Sequence, residues 1–278
     1  MVRDPMTILR TGTEAAGSRR LRPARAAAFT LIELLVVMGI IGVLVGILLP
    51  AVNRVVVTVR NAACASRIAQ IHAGLENFKN DWGVYPPSNR GDEDADRLEQ
   101  NCPGSEPYGK ELLTVALVGP NADAKGWGRP VEGVLPFGDL LEESVAYGPY
   151  YQGEFEWDSE EARIPDAFPS PERPILYYRY DRGDSTYRAD DNPSGEGLGE
   201  GFQSEDHFEL SAKYLPPDVT NWNNAKWQRK DYLLIAAGHD RMYGWVVEDQ
   251  QTGDVRAATQ QEVEDGTATC DDLTNFGD

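Results

Sequence analysis

The first long feature along the chain is an apolar run with almost no polar interruption. From Phe29 to Val52 it reads FTLIELLVVMGIIGVLVGILLPAV, and Glu33 is its one charge. A helix rises about 1.5 Å per residue, so roughly 20 such residues cross a hydrocarbon layer about 30 Å thick. Past Val52 the pattern changes. Ile68, Ile71, Leu75, Phe78 and Trp82 recur three and four apart and mark one helix face, while Arg67, Gln70, Glu76 and Lys79 take the others. Asn80-Asp81-Trp82-Gly83 followed by Pro86-Pro87 supplies stop signals. The pattern predicts one helix over residues 30–81, its first half suited to lipid and its second to packing on a globular domain. Pro50 removes one backbone hydrogen bond and should bend or loosen it.

Downstream the periods are short. Residues 83–130 read as loops with a helical segment near Lys110–Val118. Residues 131–174 carry a short helical pattern near Phe137–Val145 and then an acidic, aromatic stretch from Tyr147 to Trp157. Ile175–Tyr180, Tyr232–Ala237 and Met242–Val247 are branched and aromatic runs bounded by turn formers, which predicts strands. Gly238-His239-Asp240-Arg241 between the last two suggests a hairpin. Asp181–Phe208 is rich in Gly, Asp, Glu and Ser and reads as a long loop. The expected fold class is α+β: a long N-terminal helix, transmembrane half plus amphipathic half, packed on a small antiparallel β-sheet with long loops.

Charge adds a direction. The 278 residues hold 45 acids against 26 bases, a net charge of −19, which disfavours nucleic acid as a partner. Residues 1–28 run the other way, with six arginines against two acids for a net of +4. Arginines ahead of an apolar span stay cytoplasmic, which sends the acidic body across the membrane. A cleaved secretory signal fits poorly, because the apolar run is long and Leu48–Asn53 offers no small-x-small site. Glu33 is the residue that asks for an explanation: a carboxylate within a span costs about 2.5–3.5 kcal/mol on insertion scales. It either snorkels to the interface or has a task. Gly39, Gly42 and Gly46 share a helix face and would allow close helix approach.

Ala28-Phe29-Thr30-Leu31-Ile32-Glu33-Leu34-Leu35 resembles the processing site of type IV prepilins and type II secretion pseudopilins. The resemblance implies cleavage between Ala28 and Phe29 by a prepilin peptidase and N-methylation of the new Phe29 amine. It makes residues 1–28 a leader, 29–52 a transmembrane and filament-core helix, 53–82 its amphipathic continuation, and 83–278 a periplasmic domain with insertions at about 131–174 and 181–208. Ala28 stands where the family usually has glycine, and Pro50 where it commonly has a kinking proline. Glu33 then becomes an assembly residue. An ammonium and a carboxylate are each costly alone in an apolar core, and pairing between neighbours offsets that cost. Asn80–Pro87, Trp127-Gly128-Arg129-Pro130 and the tail Asp271-Asp272-Leu273-Thr274-Asn275-Phe276 are similar to elements of major pseudopilins. In that family calcium can pin the terminal loop, which implies Asp240, Asp271 and Asp272 as ligands.

The resemblance therefore implies a structural subunit, not an enzyme. It would sit in the bacterial inner membrane by a single pass and polymerise into a periplasmic pseudopilus of a type II secretion system. Its partners would be copies of itself, other pseudopilins, the prepilin peptidase and methyltransferase, and the inner-membrane assembly platform. Two alternatives stand beside it: a type IV pilus subunit for adhesion or motility, and a membrane-anchored binding module. Enzyme signatures are missing from the sequence. His72, His207 and His239 are dispersed, and Gly195–Gly201 carries two glutamates that would repel phosphate. In an oxidising compartment Cys102 and Cys270 could form a bridge that ties down the tail, with Cys64 left over; three pairings are open.

Overall fold

The computed structural model describes residues 30–92, 95–104, 107–129, 145–169, 172–183, 187–193, 208, 231–249 and 252–275. The helical pattern near residues 137–145 and the glycine-rich loop at 195–201 lie largely or wholly outside them, as do Pro130, His207 and Phe276. The chain divides into two compact units, Met1–Ala51 and Val52–Asp278. Helix α1 spans Leu31–Trp82 and contains Pro50. The fold is α+β and type IV pilin-like, a long N-terminal apolar helix with small antiparallel sheets.

In the first unit the apolar residues of α1 have no cover among the described residues. Leu31 is 81% and Ile47 69% exposed, and a Cβ added at Gly39, Gly42 or Gly46 would meet nothing within 4 Å. Among the described residues this is the one helix long and apolar enough to cross a membrane.

The second unit is built on the rest of α1. The stripe read from the sequence is the buried face: Ile68, Ile71, Leu75, Phe78 and Trp82, with Cys64 a turn earlier. Burying each of the large apolar side chains is worth about 1.5–3 kcal/mol. Against the stripe packs α3 (Gly109–Val118), a ten-residue helix with every position buried. A four-residue turn of helix, α2 (Asp96–Glu99), precedes it. Gly74 lets α1 approach the chain at Tyr150: a Cβ there would stand 2.7 Å from the Tyr150 carbonyl oxygen. Helix α1 ends at Gly83, whose φ of +79° suits glycine and whose N–H donates to the Lys79 carbonyl.

Three small sheets complete the unit. Strands β1 (Glu156–Trp157) and β2 (Ala162–Arg163) form a short antiparallel pair within the expected insertion. The central sheet has the order β3 (Leu176–Arg179), β4 (Tyr232–Ala236), β7 (Leu273–Thr274), all antiparallel. A third pair joins β5 (Val246–Glu248) and β6 (Val255–Ala257), followed by helix α4 (Gln260–Glu264). Register in the central sheet sorts the side chains. Tyr177 faces the α1–α3 core with its partner Leu234; Leu176 and Tyr178, with partners Ile235 and Leu233, face a second cluster containing Tyr187, Phe208 and Tyr243.

The expected hairpin over Gly238–Arg241 is not formed. Strand β4 does not pair with β5; the tail strand β7 takes that edge instead. Two residues with positive φ, Gly238 at +66° and Arg241 at +65°, turn the chain out of the sheet. The Asp271 carboxylate accepts the N–H groups of His239 and Asp240 and holds the turn there. The edge of β4 is thus filled from the C-terminus, which local sequence spacing does not reveal.

Because Gly74 is closed in by backbone, Gly74→Ala is expected to cost about 1–3 kcal/mol as the α1 contact shifts. Urea unfolding of the full chain in detergent, compared with Ala73→Gly on the exposed side of the same turn, checks this. A Gly74→Ala midpoint equal to that of the parent chain would contradict the packing described.

Candidate functional site

The N-terminal segment starts at Thr30. Ala28 and Phe29, the expected processing pair, lie outside the described residues. Thr30 and Glu33 form a capping box at the first turn of α1. The Thr30 N–H and hydroxyl both donate to Glu33 Oε2 at 2.8 Å, and the Glu33 N–H donates back to Thr30 Oγ1 at 3.3 Å. The signal was present in the sequence as Thr-x-x-Glu just before an apolar run, and the reading of Glu33 as an assembly group passed over it. Only Oε2 is used; Oε1 accepts nothing among the described residues. Glu33 is therefore a carboxylate with one oxygen fixed and one open, in a helix otherwise apolar for 19 residues to Val52. Pro50 sits inside α1 without ending it.

The tail residues do come together with the 238–244 turn. Asp271 caps His239 and Asp240; Asp240 Oδ1 accepts the Met242 N–H at 2.8 Å; Asp272 Oδ2 accepts the Gly244 N–H at 2.6 Å. Asn275 Oδ1 accepts the Leu234 N–H at 2.8 Å and so prolongs the β4–β7 ladder by a side chain. Burial pushes the Asp240 carboxyl up to about 7, and the neighbouring Asp271 carboxylate adds to it. Complete burial likewise raises Asp272, whose Oδ1 has no hydrogen-bond partner among the described residues. These acids are committed to backbone amides. Among the described residues no group of three His, Cys, Asp or Glu side chains is set to hold a metal ion, so the expected calcium ligands form no ready-made centre.

The three cysteines are free thiols. Cys102 packs against the α1–α3 core and Cys270 against the cluster on the other face of the central sheet. The sheet stands between them, and the expected bridge between Cys102 and Cys270 is not present. Burial raises both thiols well above the usual range, which disfavours the reactive thiolate. Cys64 on α1 accepts a hydrogen bond from the Ala167 N–H at 3.1 Å. One turn on, Arg67 donates to the carbonyls of Pro165 and Asp166, so the insertion is fastened to the helix.

One cavity of about 490 Å³ opens where α1 ends, lined among others by Lys79, Tyr85, Asn89, Arg179, Asp191 and Asp231. Asp191 is 2% exposed. It accepts from the Ser88 hydroxyl and from Asn89 Nδ2 at 3.1 Å. Burial, reinforced by Asp190 and Asp92, pushes it up to about 7 from an ordinary 3.8, although Ser88 and Asn89 pull it down. No sequence signal marks this buried acid, which lies in the polar stretch 181–208.

Two measurements follow from these geometries. Thr30→Val deletes the hydroxyl bonds of the cap and is expected to speed amide exchange in the first turn of α1 about fivefold, a loss of about 1 kcal/mol, by hydrogen–deuterium exchange in detergent. Unchanged exchange would remove the cap from the account. Asp191 is neutral in the fold up to about 7 but ionised in the unfolded chain above about 4. It contributes fully at lower pH, and its contribution falls as pH rises through that window. Asp191→Asn is therefore expected to raise the melting temperature relative to the parent at pH 8 and to make little difference at pH 4, read as the change in that difference across pH.

Comparison with known proteins agrees with the N-terminal geometry. Residues 23–49 match the model of the prokaryotic N-terminal methylation motif. No curated protein and no solved structure matches the chain. The motif implies processing by a prepilin peptidase and assembly with other pilin-type subunits. Over this N-terminal segment, an apolar helix able to anchor the chain by a single pass and beginning within the methylation motif, the protein is similar to type IV pilins and pseudopilins.

Proposed function

We propose that the chain is a structural, pseudopilin-like subunit that polymerises into a periplasmic pseudopilus of a type II secretion system, after anchoring in the inner membrane. The observation that carries the assembly reading is the half-used Glu33 carboxylate. Its Oε2 is held by Thr30, which fixes the side chain, and its Oε1 is open. Cleavage before Phe29 would create an ammonium four residues away in sequence. The Phe29 amine of one subunit can meet Oε1 of the next in an apolar core, where each charge alone would be costly. The exposed apolar surface of residues 31–49 supplies non-directional cohesion, and the ion pair supplies register.

Secretion is favoured over a surface pilus by the tail. Asp271, Asp272 and Asn275, the residues that carry the likeness to major pseudopilins, each make a specific bond that closes the C-terminus onto β4 and the 238–244 turn. The buried acids are engaged structurally among the described residues: Asp272 by the Gly244 N–H, Asp191 by Ser88 and Asn89, and Asp166 by Arg241 and the Phe168 N–H.

The reading is tested in two steps. Intact-mass analysis of membrane-extracted protein is expected to show loss of residues 1–28 and gain of one methyl group; a full-length mass rejects the processing step. Glu33→Leu is then expected to leave the chain membrane-bound while reducing filament formation at least about tenfold, as loss of a pair worth more than about 1.4 kcal/mol per contact would. Exoprotein release should fall with it. Surface fibres with normal exoprotein release would assign the subunit to a pilus instead.

A further inference from the structure

The cavity at the end of α1 is not used by the assembly reading, and its wall is unusual in charge. Four cations, Lys79, Arg179, Arg182 and Arg188, face four aspartates, Asp92, Asp181, Asp191 and Asp231. Most of these are matched. Asp231 takes Lys79 at 3.3 Å and Arg182 at 2.7 Å, and its carboxyl is held low by Arg182 first and Lys79 second. Arg188 pairs with Asp181. Asp191 is bonded to Ser88 and Asn89.

Arg179 is the exception. Its backbone N–H is bound by Ser88, but its guanidinium makes one long hydrogen bond, to the Tyr85 carbonyl at 3.4 Å. Its nearest carboxylate, Asp92, stands 3.9 Å away, beyond hydrogen-bonding distance. Four of its five donors thus lack a hydrogen-bond partner among the described residues, on a side chain 31% exposed and anchored at the end of β3. A planar guanidinium held in this way on a cavity wall suits a carboxylate taken two-pronged.

We propose that this cavity binds a small acidic sugar of the uronate class, its carboxylate on Arg179 and its hydroxyls on the surrounding aspartates and Asn89. A volume of about 490 Å³ falls within the range of about 300–1,000 Å³ usual for small-molecule sites. Phosphate suits it less, since a dianion would face four aspartates. A peptide C-terminus suits it less as well, since the aliphatic lining is confined to Val84. The Asp92 carboxylate accepts no hydrogen bond among the described residues and calls for a hydroxyl donor, and a single carboxylate is the acceptor that Arg179 calls for. Tyr180 also lines the cavity, with its ring packed edge-to-face on Tyr187.

The test uses the full chain in detergent micelles, with galacturonate and its dimer as probes and calorimetry or ligand-observed NMR as readout. Saturable binding is expected below about 10 mM, with galactose at least about tenfold weaker, a difference of about 1.4 kcal/mol. Arg179→Gln should abolish the preference for the acid. Arg179→Lys keeps the charge and the strand but not the two-pronged donor, and should lose at least about fivefold in affinity with an unchanged melting temperature. It settles the matter if the glutamine variant fails to fold. The proposal is overturned by no saturable binding, by equal binding of galactose, by an Arg179→Lys variant of parental affinity, or by phosphate or an acetylated dipeptide binding as tightly as galacturonate. None of these results depends on whether the chain assembles into filaments.

Discussion

Strand β4 is buried along its whole length and on both faces, and the globular unit is organised by that constraint. A doubly buried strand must have both edges paired, because an unpaired backbone N–H or C=O away from water costs as much as a lost hydrogen bond. One edge is met by β3, which follows the insertion; the other is met by β7, from the end of the chain. One face is met by α1 and α3, the other by the cluster around Tyr178, Phe208 and Tyr243. Tyr232, at the start of β4, shows how these demands meet in one residue: its ring packs edge-on against Tyr85 and its hydroxyl bonds His72 on α1. Helix, insertion and tail are therefore coupled through a five-residue strand.

The two halves of α1 answer different solvents with one secondary structure. From Leu34 to Val52 the helix is apolar all round, and its exposed side chains have no cover among the described residues. From Cys64 to Trp82 it has one apolar face and a polar remainder, as a helix docked on a domain must. The transition runs through Val55-Val56-Val57-Thr58-Val59, a run that disfavours helix by propensity. The helix persists there because a break would expose backbone groups beside an apolar span. Glu33 sits where the first solvent begins. Its Oε2 takes the Thr30 N–H and hydroxyl, and its Oε1 has no partner among the described residues, so the cap uses one oxygen of the side chain.

What could be read from the sequence was whatever has a period or a local motif. The helix over 30–81 is found at 31–82, its stripe is the buried face, and Ile175–Tyr180 and Tyr232–Ala237 contain β3 and β4. The α3 segment was visible as an apolar block. Long-range pairing was not visible. Gly238–Arg241 has the composition of a hairpin turn, yet β4 pairs with a tail some 40 residues on, because Asp271 reaches the turn amides and β7 fills the edge first. The cysteines failed for a related reason: sequence separation does not say that Cys102 and Cys270 lie on opposite faces of a sheet. Asp191 hid in a polar stretch because composition reports the average environment of a loop, while burial is decided by the one residue that points inward. The tail acids were legible as a group; that Asp271 and Asp272 would accept backbone amides of the 238–244 turn was not, because it depends on the turn they cap.

The strong acidity of the chain looks at first like a solvation device, but many of its aspartates are structural. Asp123, Asp158, Asp166, Asp181, Asp240 and Asp249 each accept a backbone N–H two or three residues ahead, and Asp271 and Asp272 do the same across the tail. Such Asx-type turns supply locally the hydrogen bonds that a helix or ladder would supply elsewhere. That explains how a unit with strands of only two to five residues can keep long irregular connections in place. It also explains why the charge is borne by Asp at turns: glutamate is one methylene longer and cannot close the same ring without loosening it. Part of the negative charge that would repel phosphate polymers thus sits on side chains that fasten the loops. The Arg179 cavity stands out against that background because there a guanidinium makes only one long hydrogen bond.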